Sequence, residues 1–244
     1  MTSPAIEVSG LVAGYGGAPV LHAISLEVRP AQVVVLLGAN GAGKTTTLMS
    51  IAGAVTPMSG RVAVNSVDTS KLRPHRIARL GLAFVPEDRG ILFQLTVTEN
   101  LRLRRGRKST MSVDEVFEYF PALPKLSNRK AGLLSGGEQQ MLGVACALMT
   151  DPTVLLVDEL SHGLAPAVVE QLLPAVRQIC QKKQLAVLLV EQHVSASLDI
   201  ADYAYILNRG RVVASGPAAD LRNRRDLIEA SYFWYGDREA AGAG

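Results

Sequence analysis

The sequence has 244 residues, of which 48% are hydrophobic and 19% charged, a balance that supports a buried core, allows one large domain or two small ones, and excludes a disordered chain. Against 22 Asp plus Glu stand 25 Lys plus Arg, and the resulting net charge of +3 is too small to indicate nucleic-acid binding by itself. No apolar run reaches the about 18 to 20 residues that a bilayer crossing requires, and the opening MTSPAIEVSG has neither the basic nor the apolar region of a secretory signal, so a cytoplasmic protein is expected.

The first elements read as strands. In LHAISLEV (residues 21–28) the apolar positions Leu21, Ala23, Leu26 and Val28 are interleaved with His22, Ser25 and Glu27, the pattern of a half-buried antiparallel strand with one irregular step. QVVVLLG (residues 32–38) is a continuous apolar run and predicts a strand buried on both faces. It leads into a glycine-rich turn and then KTTTLMSIAG, a helix that Gly53 ends. From residue 72 to 128 the texture changes to short helical patterns with little strand character and a basic run, LRLRRGRK (residues 101–108), which reads as a solvated face or a partner-facing surface. An inserted helical subdomain over about 72–152 is expected. Strands return at TVLLVD and LAVLLVEQ, separated by a helix over 167–182, and this alternation implies crossovers and a parallel core sheet. YAYILNRGRVVASG then predicts a hairpin turning at 208–210, and the tail AAGAG reads as frayed. Cys146 and Cys180 lie in apolar helical patterns without metal-ligand spacing, and both read as reduced core residues.

GANGAGKT, residues 38–45, fits G-x-x-x-x-G-K-[ST] between an apolar strand and a helix start. Its glycines let backbone N–H groups curl around phosphate oxygens, and the helix N-terminus near Gly43 adds partial positive charge. Lys44 can reach the β and γ phosphates as a point charge, and the Thr45 hydroxyl can ligate Mg²⁺. Further on, VLLVDE sets Asp158 and Glu159 at the end of an apolar run, where a strand delivers them to the phosphate loop at its carboxyl end. Asp158 is expected to hold Mg²⁺ through its water shell, and Glu159 to polarise the attacking water.

LSGGEQQ, residues 134–140, opens a helix with a serine, two glycines and Glu138, which offers a second anion site and is also a capping box. GANGAGKT, LSGGEQQ and VLLVDE in this order resemble the motifs of ABC transporter ATPase subunits, and the resemblance spans nearly the whole chain. It implies an α/β P-loop NTPase core with a mixed, largely parallel sheet, built from 1–71 and 153–244. An N-terminal antiparallel β subdomain and the inserted α-helical subdomain complete the expected fold. It also implies ATP contacts at Tyr15, on which adenine stacks, and at Gly38, Asn40, Gly41, Ala42, Gly43, Lys44, Thr45 and Thr46. Ser135, Gly136, Gly137 and Glu138 are implied to meet the γ-phosphate of ATP held by an opposite protomer. Such a site requires a homodimer or a heterodimer with a related ATPase subunit.

The chain departs from the family pattern in places. FVPEDRGIL matches the loop joining the core to the helical subdomain, with Glu87 where most members carry glutamine; a carboxylate there can still meet Mg²⁺ or the attacking water. Leu160 replaces a common proline after Glu159, and Ser161, His162 and Gly163 match residues at the dimer seam. The usual switch histidine aligns with Gln192, leaving His193 one residue late; Gln192 is the favoured γ-phosphate contact and His193 the alternative.

VPEDRGIL, LTVTENL, LSGGEQQ, SHGLAP, LLVEQHV and SYFWYG look like ATPase subunits of branched-chain amino-acid importers, which also show Glu87 and the VEQ ending in one of their two ATPase chains. Urea or short-chain-amide importers and lipopolysaccharide export share much of the pattern. Transmembrane permease subunits and, indirectly, a substrate-binding protein are the implied partners, with the chain peripheral on the inner face of the membrane and no nucleic acid expected. A non-transport ABC ATPase clamping nucleic acid is the rival class, although one cassette without a coiled-coil insertion is unusual there. A regulatory module without a membrane partner is a second rival.

Overall fold

The computed structural model describes residues 3–106, 109–192 and 194–222. His193, Arg107 and Lys108 of the basic run, the SYFWYG segment and the AAGAG tail lie outside the described residues. In chain order the elements are β1 (Ile6–Tyr15), β2 (Ala18–Val28), β3 (Val33–Leu37), α1 (Lys44–Ile51), β4 (Ser59–Val64), β5 (Val67–Asp68), α2 (Pro74–Ala78) and β6 (Leu82–Val85). There follow α3 (Val97–Arg104), α4 (Val113–Tyr119), α5 (Gly136–Leu148), β7 (Val154–Asp158), α6 (Pro166–Lys183), β8 (Ala186–Glu191), α7 (Val194–Ile200), β9 (Tyr203–Asn208), β10 (Arg211–Pro217) and α8 (Ala218–Arg222).

Two sheets result. The first runs β2-β1-β4-β5 and is antiparallel, and the second runs β10-β9-β3-β8-β7-β6. Within the second, β9, β3, β8, β7 and β6 are parallel and only the β9–β10 hairpin is antiparallel. The all-buried run of β3 follows from this position. Val33, Val35 and Leu37 face a cluster that includes Leu142, Val144 and Val176 from α5 and α6, while Val34 and Leu36 face one shared with Leu48, Ile51 and the antiparallel sheet. Each such buried aliphatic contributes about 2 kcal/mol relative to exposure.

Two local differences from the sequence reading have physical causes. Ile24, not Ala23, takes the inward position of β2, because Ala23 bulges outward at φ 54° and shifts the register against β1. The stretch expected to show little strand character contains β6, which pairs in parallel with β7 and closes the edge of the core sheet. Four apolar residues inside a basic, helical neighbourhood carry too weak a period to stand out. The helical elements α3, α4 and α5 follow only after it. Both cysteines are free and buried; burial pushes the Cys146 thiol up to about 12 and the Cys180 thiol to about 11. Among the described residues no helix is long and apolar enough to cross a membrane.

Candidate functional site

Four parallel strands end along one edge, and each hands over a functional segment there. The phosphate loop follows β3, Asp158 ends β7 and Glu159 follows it, Glu191 ends β8 ahead of Gln192, and Glu87 follows β6. The pairings Leu37↔Glu191, Asp158↔Val190 and Val85↔Val157 keep those ends level across the sheet. This is the edge at which ligands collect in parallel α/β sheets.

The phosphate loop is shaped by close approaches. Gly43 caps α1 at φ 105°, and a Cβ there would come within 2.7 Å of Leu21; a Cβ on Gly38 would come within 2.4 Å of the Leu207 carbonyl. Ala42, Gly43 and Thr46 are buried, whereas Asn40, Gly41 and Thr45 stay exposed at the crown of the loop. The first N–H groups of α1 have no intrahelical acceptor, so the loop presents donors to an anion at its mouth. Lys44 is buried and its Nζ donates to the carbonyls of Gly38 at 2.9 Å and Ala39 at 3.2 Å. The same Nζ lies 3.6 Å from Glu159 Oε1.

The acidic pair divides as its surroundings dictate. Asp158 is buried, and its Oδ1 accepts from the Thr45 hydroxyl at 3.3 Å. Burial pushes its carboxyl up to about 6; the Thr45 hydrogen bond opposes this, the Glu159 and Glu87 charges reinforce it, and Lys44 offsets part. A hydroxyl and neighbouring carboxylates with surplus negative charge form a hard-oxygen donor set, which fits Mg²⁺. Glu159 sits in the left-handed region at φ 47°, with its N–H donating to the Val190 carbonyl at 3.0 Å. Burial acts to raise its carboxyl, but a hydrogen bond from Gln192, the Lys44 charge and contact with His162 outweigh it and hold the group below the ordinary glutamate value. The carboxylate is therefore ionised and oriented at the loop's mouth.

The structure thus brings together Lys44, Thr45, Asp158, Glu159, Gln192 and Glu87. Among the described residues, no hydrogen bond or ion pair joins this group to Tyr15 or to Ser135, Gly136, Gly137 and Glu138. Tyr15 ends β1 with its ring exposed. Ser135 caps α5 in a closed box: its N–H donates to Glu138 Oε2 at 2.7 Å, and its Oγ accepts from the Glu138 N–H at 3.3 Å. Both the hydroxyl and Gly136 lie on the surface. Leu160, in the family's proline position, is fully buried.

Sequence reasoning missed three contacts. His162 Nδ1 lies 3.0 Å from Glu159 Oε2 and 3.2 Å from Glu87 Oε1. The buried Glu191 accepts the Ser161 N–H at 2.9 Å and the Ser161 hydroxyl as well. Arg89 donates to Gln139 and, at 3.2 Å, to Gln140, which fastens the loop after β6 to α5. Apart from the His162–Glu159 contact within one turn, they join distant segments that no local pattern announces.

Residues 21–162 match the family described as ABC transporter. The chain is 40% identical over 222 residues to the high-affinity branched-chain amino acid transport ATP-binding protein BraG of Pseudomonas aeruginosa, covering 88% of this chain and 94% of that one. It is 30% identical over 250 residues to BraF of the same organism, likewise a branched-chain amino acid transport ATP-binding protein, covering 94% and 98%. The crystal structure of the ADP conformation of MJ1267, an ATP-binding cassette of an ABC transporter, superposes with a TM-score of 0.80 at 25% identity over 93% of this chain and 98% of that one. With the phosphate loop, the start of α5 and the acidic pair all inside the matched residues, the chain belongs to the ABC transporter family and is an ATPase subunit of a transporter.

Proposed function

We propose that the transport this ATPase subunit powers is the import of branched-chain amino acids. The observation that carries the reading is the likeness to BraG along nearly the whole of both chains. Glu87 and Gln192, the two departures from the wider family, agree with it, since the sequence resembles the importer subunits at both places.

In this reading the backbone of residues 38–46 cradles the phosphates, Lys44 leaves the loop carbonyls for the β and γ phosphates, and adenine stacks on Tyr15. Thr45 and Asp158, with Glu87 nearby, would hold Mg²⁺, which would neutralise charge on the β and γ phosphates. Glu159, ionised and held by Lys44 and Gln192, accepts the proton of the attacking water. Gln192 donates its amide to the γ-phosphate. Ser135, Gly136 and Gly137 serve the nucleotide of the opposite protomer, so two chains close over two nucleotides and hydrolysis reopens them.

The partners are permease subunits in the membrane and, through them, a substrate-binding protein; the chain sits on the cytoplasmic face and binds no nucleic acid. Pairing with a related ATPase subunit is supported by the similarity to both BraG and BraF, two ATP-binding proteins of one organism. The helices α3, α4 and α5 act as the subdomain that passes motion to the permease. A cleft of about 500 Å³ supports this, lined by Phe84, Pro86, Arg89 and Arg104 beside Cys146 of α5, where the loop carrying Glu87 meets that helix.

The test is reconstitution in proteoliposomes with branched-chain amino-acid permease subunits. Leucine on its binding protein is expected to stimulate ATP turnover, and Glu159→Gln to retain ATP binding while nearly abolishing hydrolysis. Stimulation by urea or an amide and not by leucine rejects the substrate class.

A further inference from the structure

His162 stands between two carboxylates, one from its own turn and one from the loop after β6. Its Nδ1 is 3.0 Å from Glu159 Oε2 and 3.2 Å from Glu87 Oε1. An ionised carboxylate only accepts, so the ring nitrogen facing both must carry the proton. The tautomer is fixed by the partners, with Nδ1–H as donor.

The placement of the ring is built in. Ser161, one residue earlier, is clamped by both its N–H and its hydroxyl to buried Glu191 at the end of β8. Leu160 is fully buried, and the His162 N–H closes the turn on the Glu159 carbonyl at 3.2 Å. The backbone from 159 to 162 is therefore held at both ends, while the imidazole itself remains more than half exposed.

We infer that His162 is a positioning residue for Glu159, donating Nδ1–H to Oε2 and tying the general base to the loop that carries Glu87. The inference rests on the role proposed for Glu159. Lys44 holds Oε1 of the same carboxylate from the other side, so the two oxygens are oriented by different donors and rotation of the carboxylate is suppressed. Such restraint supplies the aligned ground state that attack by water requires. Because one N–H is shared between two acceptors, withdrawal of Glu87 leaves the whole donor to Glu159. Motion of the loop after β6 is thereby coupled to the orientation of the base.

Steady-state ATP turnover by the full chain tests this with three variants: His162→Leu, His162→Asn and Glu159→Gln. His162→Leu is expected to lower kcat about tenfold with KM for ATP within about twofold, since the loss falls on the reacting step and not on nucleotide binding. His162→Asn, whose amide N–H₂ lies near the position of Nδ1, is expected to restore most of kcat. An unchanged kcat in His162→Leu, a loss confined to KM, or an asparagine variant no better than leucine overturns the inference. Retained turnover in Glu159→Gln overturns the reading of Glu159 beneath it, a result distinct from those three.

Discussion

The Thr45 hydroxyl donates to Asp158 Oδ1 at 3.3 Å, although 113 positions separate the two residues. The contact exists because α1 begins one loop after β3 and β7 ends at the same edge of the sheet. It is also a local compensation, because burial and the charges of Glu159 and Glu87 push the Asp158 carboxyl up and the Thr45 hydrogen bond draws it back.

That balance gives a pH-dependent stability. The Asp158 carboxyl rises from 3.8 to about 6 in the folded chain, so the folded state holds this proton more tightly than the unfolded one. Stability therefore falls as pH rises through that window and is level above it. Asp158→Asn is expected to raise the unfolding free energy of the nucleotide-free chain by about 2 kcal/mol at neutral pH, and by about half that near pH 5. Denaturant titration at the two pH values reads the difference, and an equal effect at both rejects the assignment. With Mg²⁺ and ATP present the order reverses, because the native residue then gains the ligand's binding energy.

Some of this site is legible in the sequence for physical reasons. The phosphate loop is one contiguous segment whose glycines answer local steric demands, and QVVVLLG and VLLVD are buried on both faces, so their composition alone marks them. The capping box at Ser135 and Glu138 is likewise written within four residues. What the sequence hides is pairing across the fold. Leu82–Val85 becomes a strand only because β7 offers its edge, and Glu191 is merely the residue before Gln192 until Ser161, 30 positions away, turns both donors toward it. His162 lies within the short segment SHGLAP, yet the Glu87 carboxylate it meets arrives from another strand.

At the opposite end of the sheet, Asp202, just ahead of β9, ties β3 to α6. Its Oδ2 accepts the Val33 N–H at 2.8 Å, and Arg177 of α6 forks onto both oxygens, with Nη2 to Oδ1 at 2.7 Å. The pair is mostly buried, which makes the loss of the shared acceptor costly. Asp202→Ala is expected to destabilise the chain by about 2 kcal/mol, a fall in Tm of about 6 °C for a domain of this size. ATP affinity should stay within about twofold, because the phosphate loop lies beyond the other end of β3. Thermal melts beside a nucleotide titration separate the effects, and a loss of affinity without a loss of Tm contradicts the assignment.

Glu191 is the anchor of the turn that follows the acidic pair. It is buried, and it accepts from Ser161 twice. Glu191→Gln keeps one acceptor oxygen but turns an N–H₂ toward the other donor, so the turn loosens while the volume is preserved. The expected result is a fall in kcat of about fivefold with ATP affinity unchanged, because Glu159 and His162 lose their fixed backbone while the phosphate loop keeps its own. Glu191→Ala leaves both Ser161 donors unmatched in the interior and should cost about 2 kcal/mol of stability. Ser161→Ala removes one of the two donors. Combined with Glu191→Gln it should cost less than the two single effects summed, since both act on one contact. Turnover and denaturant titration of the three variants and the double variant check this, and full additivity in kcat shows that Glu191 acts on the site by some route other than Ser161.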